Sequence, residues 1–316
     1  MDNRMSQNDK LKVLIIKLGY SEVLDSGTEP VPSLGDVLRS TVILHAYKDA
    51  HVSWLVDEKA APLLRSNSYI QRIFVYDLTS MLQLKSERFD TVINLEKVPG
   101  ICAFSDTIKA WRRYGFRFDP ETGTALPYDG AQKVIDISFD KNTKKRNKKY
   151  WEEVIFEMIG LRWEGERLIL GYKPRGAVLY DIGFNHAVGE KWPNKAWPMD
   201  YWKKLESMLG NEYTVSWQKG LKHIEEYIEW INSCKMLVTN DSLGLHIAEA
   251  LGKKIVALFG PTLESEVFVR TGRKLLPESD YDCVPCLDSS CFQKVSCMHL
   301  ITPERVYDTI KSVLKK

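Results

Sequence analysis

Short runs of β-branched and aliphatic residues alternate along this chain with stretches in which apolar residues recur every three to four positions. That alternation predicts βα units around a parallel sheet, since strands covered on both faces read as apolar runs and crossover helices keep one polar face. In the first half the pattern predicts strands at 12–18, 51–56, 72–76 and 91–95, with helices at 36–47, 58–65 and 80–85. A lysine-rich stretch and a helix over 150–159 follow. A second series then opens, with strands at 177–182, 213–217, 236–239 and 254–259 and helices at 199–209, 224–233 and 243–251.

Two successive series of this kind predict two doubly wound sheets. The segment 163–176, with its glycines and Pro174, is the natural linker. The expected division is an N-terminal Rossmann-like domain over 1–170 and a second over 171–301, facing each other across a cleft. Residues 302–316 form a closing helix with Val306, Ile310 and Val313 at helical spacing, capped by Thr302 and Pro303. Its return onto the N-terminal domain is left open.

A length of 316 residues suits two ordinary domains, and 44% hydrophobic with 27% charged residues excludes disordered and collagen-like classes. A formal charge of +2 argues against nucleic acid as the main partner. The polar start and the short apolar run at 13–16 fit neither a signal-peptide core nor a membrane span, so the expectation is a cytoplasmic protein with room for a peripheral contact at the inner face of a membrane.

Three constellations carry candidate chemistry. After the first strand comes Ser33-Leu34-Gly35-Asp36, where a βα loop would deliver the Asp36 carboxylate to the carboxyl edge of the sheet; the alternative is a charge that merely starts a helix. Between a later strand and helix lies Asn240-Asp241-Ser242-Leu243-Gly244-Leu245-His246, polar at a helix start and suited to a diphosphate, with ordinary N-capping as the competing reading. The third is Gly189 to Pro198, where Lys195 beside rigid Trp-Pro segments could hold a leaving diphosphate, unless the tryptophans simply pack inward.

Taken together these motifs resemble the glycosyltransferase family that contains the ADP-heptose lipopolysaccharide heptosyltransferases. Ser33 to Asp36 matches its Ser-Leu-Gly-Asp, Lys195 to Pro198 its Lys-x-Trp-Pro, Asn240 to Ala248 its Asn-Asp-Ser-x-x-x-His-x-Ala, and Phe259 to Thr262 its Phe-Gly-Pro-Thr. The resemblance implies an α/β GT-B fold and inverting sugar transfer that needs no cofactor for catalysis. It casts Asp36 as base on the acceptor hydroxyl, and Lys195, Asp241, Ser242, Leu243, Gly244 and His246 as donor-binding residues. The implied partners are a nucleotide diphosphate sugar, ADP-heptose first, and a lipopolysaccharide-core or other lipid-linked glycan. Two departures stand out: the loop before Asp36 is lengthened over 20–32, with Asp25, Gly27 and Glu29 in it, and Leu243-Gly244 replaces the more usual Gly-Pro.

Two further features fall outside those motifs. The run Lys141, Lys144, Lys145, Arg146, Lys148 and Lys149 reads as a solvated loop, or as a contact for an anionic acceptor. Cys283, Cys286, Cys291 and Cys297 crowd into one stretch and could close a structural zinc or iron site without an open catalytic position. Rival functions are a non-catalytic nucleotide-sugar or glycan binder of the same fold, another GT-B enzyme such as a sugar-nucleotide epimerase or a phosphorylase, and a zinc-dependent nucleic-acid module.

Overall fold

A computed structural model describes residues 10–20, 31–220, 223–278 and 281–315. Asp25, Gly27 and Glu29 of the lengthened loop lie outside the described residues. The chain divides into two compact units, one comprising Met1–Phe139 with Glu152–Tyr172 and the other Asp140–Trp151 with Lys173–Lys316.

In the first unit, β1 (Lys12–Ile16) is the central strand, with Val13, Leu14, Ile15 and Ile16 wholly buried. It pairs in parallel with β2 (His51–Val56) and β4 (Arg88–Asn94), as a strand apolar on both faces must. Outside these lie β3 (Arg72–Val75) and β5 (Lys109–Asp119), and β6 (Thr124–Pro127) closes antiparallel on β5, giving the order β3-β2-β1-β4-β5-β6. The helices are α1 (Leu34–Ser40), α2 (Ala61–Leu64), α3 (Leu78–Ser86), α4 (Pro99–Thr107) and α5 (Gln132–Phe139). Next come α6 (Lys141–Arg146), which belongs to the second unit, and α7 (Trp151–Met158), which returns the chain to the first.

The single helix expected over 36–47 is divided. After Ser40 the chain tightens into a 3₁₀ turn over Thr41–Tyr47. The Ser40 hydroxyl donates back to the Asp36 carbonyl at 2.8 Å and the Thr41 hydroxyl to the Leu38 carbonyl at 2.6 Å, contacts that bend helices. Thr41 Oγ1 also accepts the Ile169 amide at 2.8 Å, so its hydroxyl stitches this turn to the chain after α7.

The second unit holds a five-stranded, all-parallel sheet in the order β11-β10-β9-β7-β8: β7 (Tyr180–Asn185), β8 (Val215–Trp217), β9 (Cys234–Asn240), β10 (Lys254–Leu258) and β11 (Gly272–Leu275). Strand β7 starts three residues later than the pattern suggested. Gly183 fits inside it because a Cβ there would stand 2.7 Å from Cys234 Sγ on the neighbouring strand. Helices α8 (Met199–Leu209), α9 (Ile224–Asn232), α10 (Leu243–Ala250) and α11 (Pro303–Leu314) complete the unit. Trp202 is buried between Phe184, Trp197 and Trp217, with ring centroids 5.0–6.4 Å apart. Each fully buried ring of this size contributes roughly 2–3 kcal/mol.

Thr302 caps α11 by accepting the Arg305 amide, and Val306, Ile310 and Val313 are buried. The open question of where this helix goes has a clear answer: its apolar face joins the core of the second unit with Trp202, Leu205 and Met298. The basic run is likewise corrected in part, since 141–146 is the short helix α6, with Asp140 accepting the Asn142 and Thr143 amides. Lys141 is paired with Asp288 and Lys144 with Glu266.

Candidate active site

Asp36 lies in the first turn of α1, partly exposed, where its charge also suits the helix N-terminus. What holds this turn is a device that the sequence pattern did not reveal. The Glu96 carboxylate, wholly buried, accepts the Leu18 and Gly19 amides at 2.7 Å each and has Lys17 Nζ at 3.4 Å. Gly19 takes φ +95°, and its carbonyl accepts the Ser33 amide at 2.8 Å. The loop leading to Asp36 is thereby pinched shut at its base. Side chains are excluded from this turn, because a Cβ on Gly19 would lie 2.9 Å from the Ser33 carbonyl oxygen.

The residues that the sequence offers as donor-binding lie in the second unit. Lys195 Nζ donates to Asp241 Oδ2 at 2.9 Å, and Thr262 Oγ1 donates to the same oxygen at 2.8 Å. Both members of the ion pair are mostly buried, with side chains 18% and 13% exposed. Burial alone would raise the Asp241 pKa; the charges of Lys195 and His246 and the hydrogen bonds from Lys195 and Thr262 outweigh it and hold the carboxyl well below the usual range. Lys195 also sits 5.1 Å from the Trp192 ring centroid. Trp197, by contrast, packs inward, its indole N–H donating to the Ile301 carbonyl at 2.8 Å and its amide to Asn240 Oδ1 at 3.1 Å.

Ser242 stands at the N-cap of α10 without capping it by its side chain. Its hydroxyl instead accepts from Asn185 Nδ2 at 2.9 Å, while Tyr227 donates to Asn185 Oδ1 at 2.7 Å. The first turn at Leu243 and Gly244 thus keeps its amides uncapped by Ser242, which suits an anion. Gly244 has no room for a side chain. A Cβ there would meet Asn185 Nδ2 and Tyr227 OH at 2.4 Å each, so the close approach is that of the protein's own hydrogen-bonded pair. His246 is buried one turn in, near enough for its charge to act on Asp241.

Of the residues that the sequence offers as donor-binding, Lys195 follows β7, and Asp241, Ser242, Leu243, Gly244 and His246 follow β9 directly. Asn185 and Tyr227, which hold Ser242 from other elements, stand in no motif of the sequence, whereas Thr262, the last residue of the Phe259–Thr262 motif, holds Asp241. Lys191, inside the Gly189–Pro198 stretch but given no role there, has its ammonium buried without a hydrogen-bond partner among the described residues. A buried cation of this kind is costly until an anion meets it.

The four clustered cysteines line one narrow cavity with Asn194, Pro261 and Tyr281. Burial pushes the Cys297 thiol up to about 11, and the neighbouring Cys286, Cys291 and Cys283 add to that rise. The loop is tied to the Lys195 and Thr262 segments by the Leu287 amide, which donates to the Pro261 carbonyl at 2.8 Å, and by Asn194 Nδ2, which donates to the Asp288 carbonyl at 2.6 Å. Number and type of donor suit a thiolate metal site, yet among the described residues no three such groups are already arranged around an ion position.

A six-stranded and a five-stranded sheet, each Rossmann-like, with the motif residues at strand ends, define a protein of the GT-B class. Residues 220–296 match the family described as glycosyltransferase family 9 (heptosyltransferase). A lipooligosaccharide heptosyltransferase 2 of Campylobacter jejuni is 33% identical over 124 residues, covering 35% of this chain and 39% of that relative. The chain thus spans under two fifths of the length of that curated relative. A crystal structure of the family 9 glycosyltransferase from Veillonella parvula is 17% identical over 98% of this chain and 99% of its own, with TM-score 0.68. TibC, an iron-containing dodecameric glycosyltransferase of enterotoxigenic E. coli, is 14% identical over 97% of this chain and 77% of its own, with TM-score 0.59, and is also solved with ADP-D-β-D-heptose. Residues 220–296 are thus similar to glycosyltransferase family 9, and the likeness to the solved structures over nearly the whole chain is one of fold.

Proposed function

We propose that this protein is an inverting glycosyltransferase that moves a heptose, or a related sugar, from ADP-heptose or a similar nucleotide diphosphate sugar to a hydroxyl of a lipopolysaccharide-core or other cell-surface glycan. The observation that carries the reading is the fixed Lys195 ammonium on Asp241 beside the first turn of α10. A diphosphate arriving there would meet a cation already oriented by Asp241 and Trp192, a second at Lys191, and the amides of Leu243 and Gly244.

Transfer with inversion needs a base for the acceptor hydroxyl on the face of the sugar away from the leaving diphosphate. Asp36 is suited to that role: the Glu96 clamp and the Gly19 turn hold its loop, and its carboxylate removes the hydroxyl proton as the glycosidic bond forms. The leaving diphosphate takes its charge compensation from Lys195, so no step requires a metal ion. Work on a membrane-borne acceptor implies a contact with the inner face of a membrane, although no helix among the described residues is long and apolar enough to span one. The cysteine loop is proposed as a structural zinc or iron site, supported by the four cysteines that line one cavity; a bound ion would cross-link the loop that backs Pro261 and Asn194.

The test is calorimetric binding of ADP and ADP-heptose beside a product assay, on wild type and Asp36→Asn. The variant should bind donor unchanged while turnover falls by the order of 10²–10⁴ typical of a lost general base. Wild-type turnover in Asp36→Asn would refute the base; absence of ADP binding by the wild type would refute the donor assignment.

A further inference from the structure

At the opposite edge of the first sheet from the Asp36 loop lies a cavity that the proposed reaction does not use. It opens at the N-terminal ends of β4 and β5 and the end of α4, encloses about 390 Å³ and is lined by Arg88, Asp106, Lys109, Trp111 and Arg113 among others. That volume falls in the range of small-ligand sites. Trp111 is 75% exposed, and the Arg88 guanidinium sits 5.8 Å from its ring centroid. The Arg88 and Lys109 side chains have no hydrogen bond or ion pair among the described residues, although the register places them directly opposite each other on β4 and β5.

The remaining polar groups here are committed. Arg113 donates to the Ser105 carbonyl at 2.8 Å and to that of Ile108, closing the end of α4. Asp106 accepts the Phe118 amide at 2.8 Å and the Tyr128 hydroxyl at 2.9 Å. The cavity therefore has three cations against one carboxylate, and the carboxylate is already satisfied. A bare indole costs free energy in water, and two adjacent uncompensated cations repel each other. Both penalties are removed by one ligand that presents an apolar ring face to Trp111 and an anionic group to Arg88 and Lys109.

We propose that this cavity is an exosite for a phosphorylated glycan, with a sugar ring stacked on Trp111 and a phosphate between Arg88 and Lys109. The choice of a glycan rests on the glycosyltransferase reading; the ring and the charges stand independently of it. A concave site suits a discrete ligand better than a flat anionic bilayer. A single aromatic ring and a near-neutral chain do not make the charged stacking track that nucleic acid requires. The exosite would hold the acceptor glycan at a point remote from the hydroxyl that reacts.

The test uses the full chain and five probes measured by calorimetry: phosphorylated oligosaccharide released by deacylation of lipopolysaccharide, the same oligosaccharide dephosphorylated, inorganic phosphate, a single-stranded DNA oligomer, and phosphatidylglycerol vesicles. Trp111→Ala and Arg88→Ala/Lys109→Ala should each weaken the phosphorylated oligosaccharide by about tenfold or more, as expected for a lost stacking face or lost charge-assisted hydrogen bonds. Dephosphorylation should erase the effect of the double variant, and ADP affinity should stay at the wild-type value. Equal oligosaccharide affinity in wild type and both variants overturns the exosite. So does dependence on these residues only for DNA or vesicles, or phosphate binding that ignores Trp111. If ADP fails to bind while the oligosaccharide behaves as stated, the donor assignment falls and the exosite stands.

Discussion

Replacing Lys195 with alanine removes a cation that is at once a proposed ligand for the diphosphate and the partner of a largely buried carboxylate. Breaking a fully buried ion pair costs about 3–5 kcal/mol. The 18% and 13% exposure of the two side chains and the remaining Thr262 hydrogen bond reduce that to roughly 2–3 kcal/mol for Lys195→Ala at neutral pH. The pH dependence follows from the depressed Asp241 pKa. A carboxyl held low in the folded state stabilises the fold above its unfolded value of about 3.9, and that contribution is lost as pH falls below it. In Lys195→Ala the depression shrinks, so the variant has less to lose in acid. Urea unfolding followed by circular dichroism should show the full gap between wild type and variant at pH 7 and a narrowing gap below about pH 4. Lys195→Ala/Asp241→Asn should recover part of the loss, since no uncompensated charge remains, while ADP affinity stays weak. An unchanged midpoint in Lys195→Ala, or a gap that does not vary with pH, would refute the pairing as the source of stability.

Gly244→Ala should lower stability by about 1–3 kcal/mol and weaken ADP binding, because its methyl group would displace Asn185 and Tyr227; equal unfolding midpoints and affinities would contradict this. Asp181, held near pKa 2 chiefly by the Lys235 hydrogen bond and the Thr214 amide, ties β7 to β8 and β9. Asp181→Asn should therefore cost about 1 kcal/mol at neutral pH, the exposure of Lys235 screening the pair, and progressively less between about pH 4 and 2, to be read from acid titration of the unfolding midpoint. Replacing any two of Cys283, Cys286, Cys291 and Cys297 should lower stability while the folded fraction still binds ADP, and native protein prepared without added metal should carry about one zinc or iron per chain by elemental analysis; a stable metal-free preparation would reject the site.

The sheets were legible where strands are buried on both faces, as in β1, β2, β9 and β10, because packing there demands unbroken apolar runs. Strand β5 was not, since Lys109, Arg112, Arg113 and Arg117 alternate with aromatics along an outer, partly exposed strand. The run Asn240 to His246 was visible because its members are adjacent in sequence. Asn185, Tyr227 and Glu96 were invisible for the opposite reason. Each is an ordinary polar residue far along the chain whose purpose appears only when folding brings a particular amide or hydroxyl within 3 Å of it.

The chain passes between the two units three times, at 139/140, 151/152 and 172/173. The segment 140–151 emerges early in synthesis, yet several of its partners lie more than a hundred residues later: the Asn147 carbonyl accepts from the Ser265 hydroxyl, and the Tyr150 ring meets Phe268 and Lys274. Vectorial folding can complete the first sheet while this segment waits. The same threading governs recombination among homologues. A crossover placed at the obvious linker near 170 would give a hybrid whose second half docks against a foreign 140–151, so a functional exchange of halves has to carry that dodecapeptide along with the half to which it belongs in space rather than in sequence.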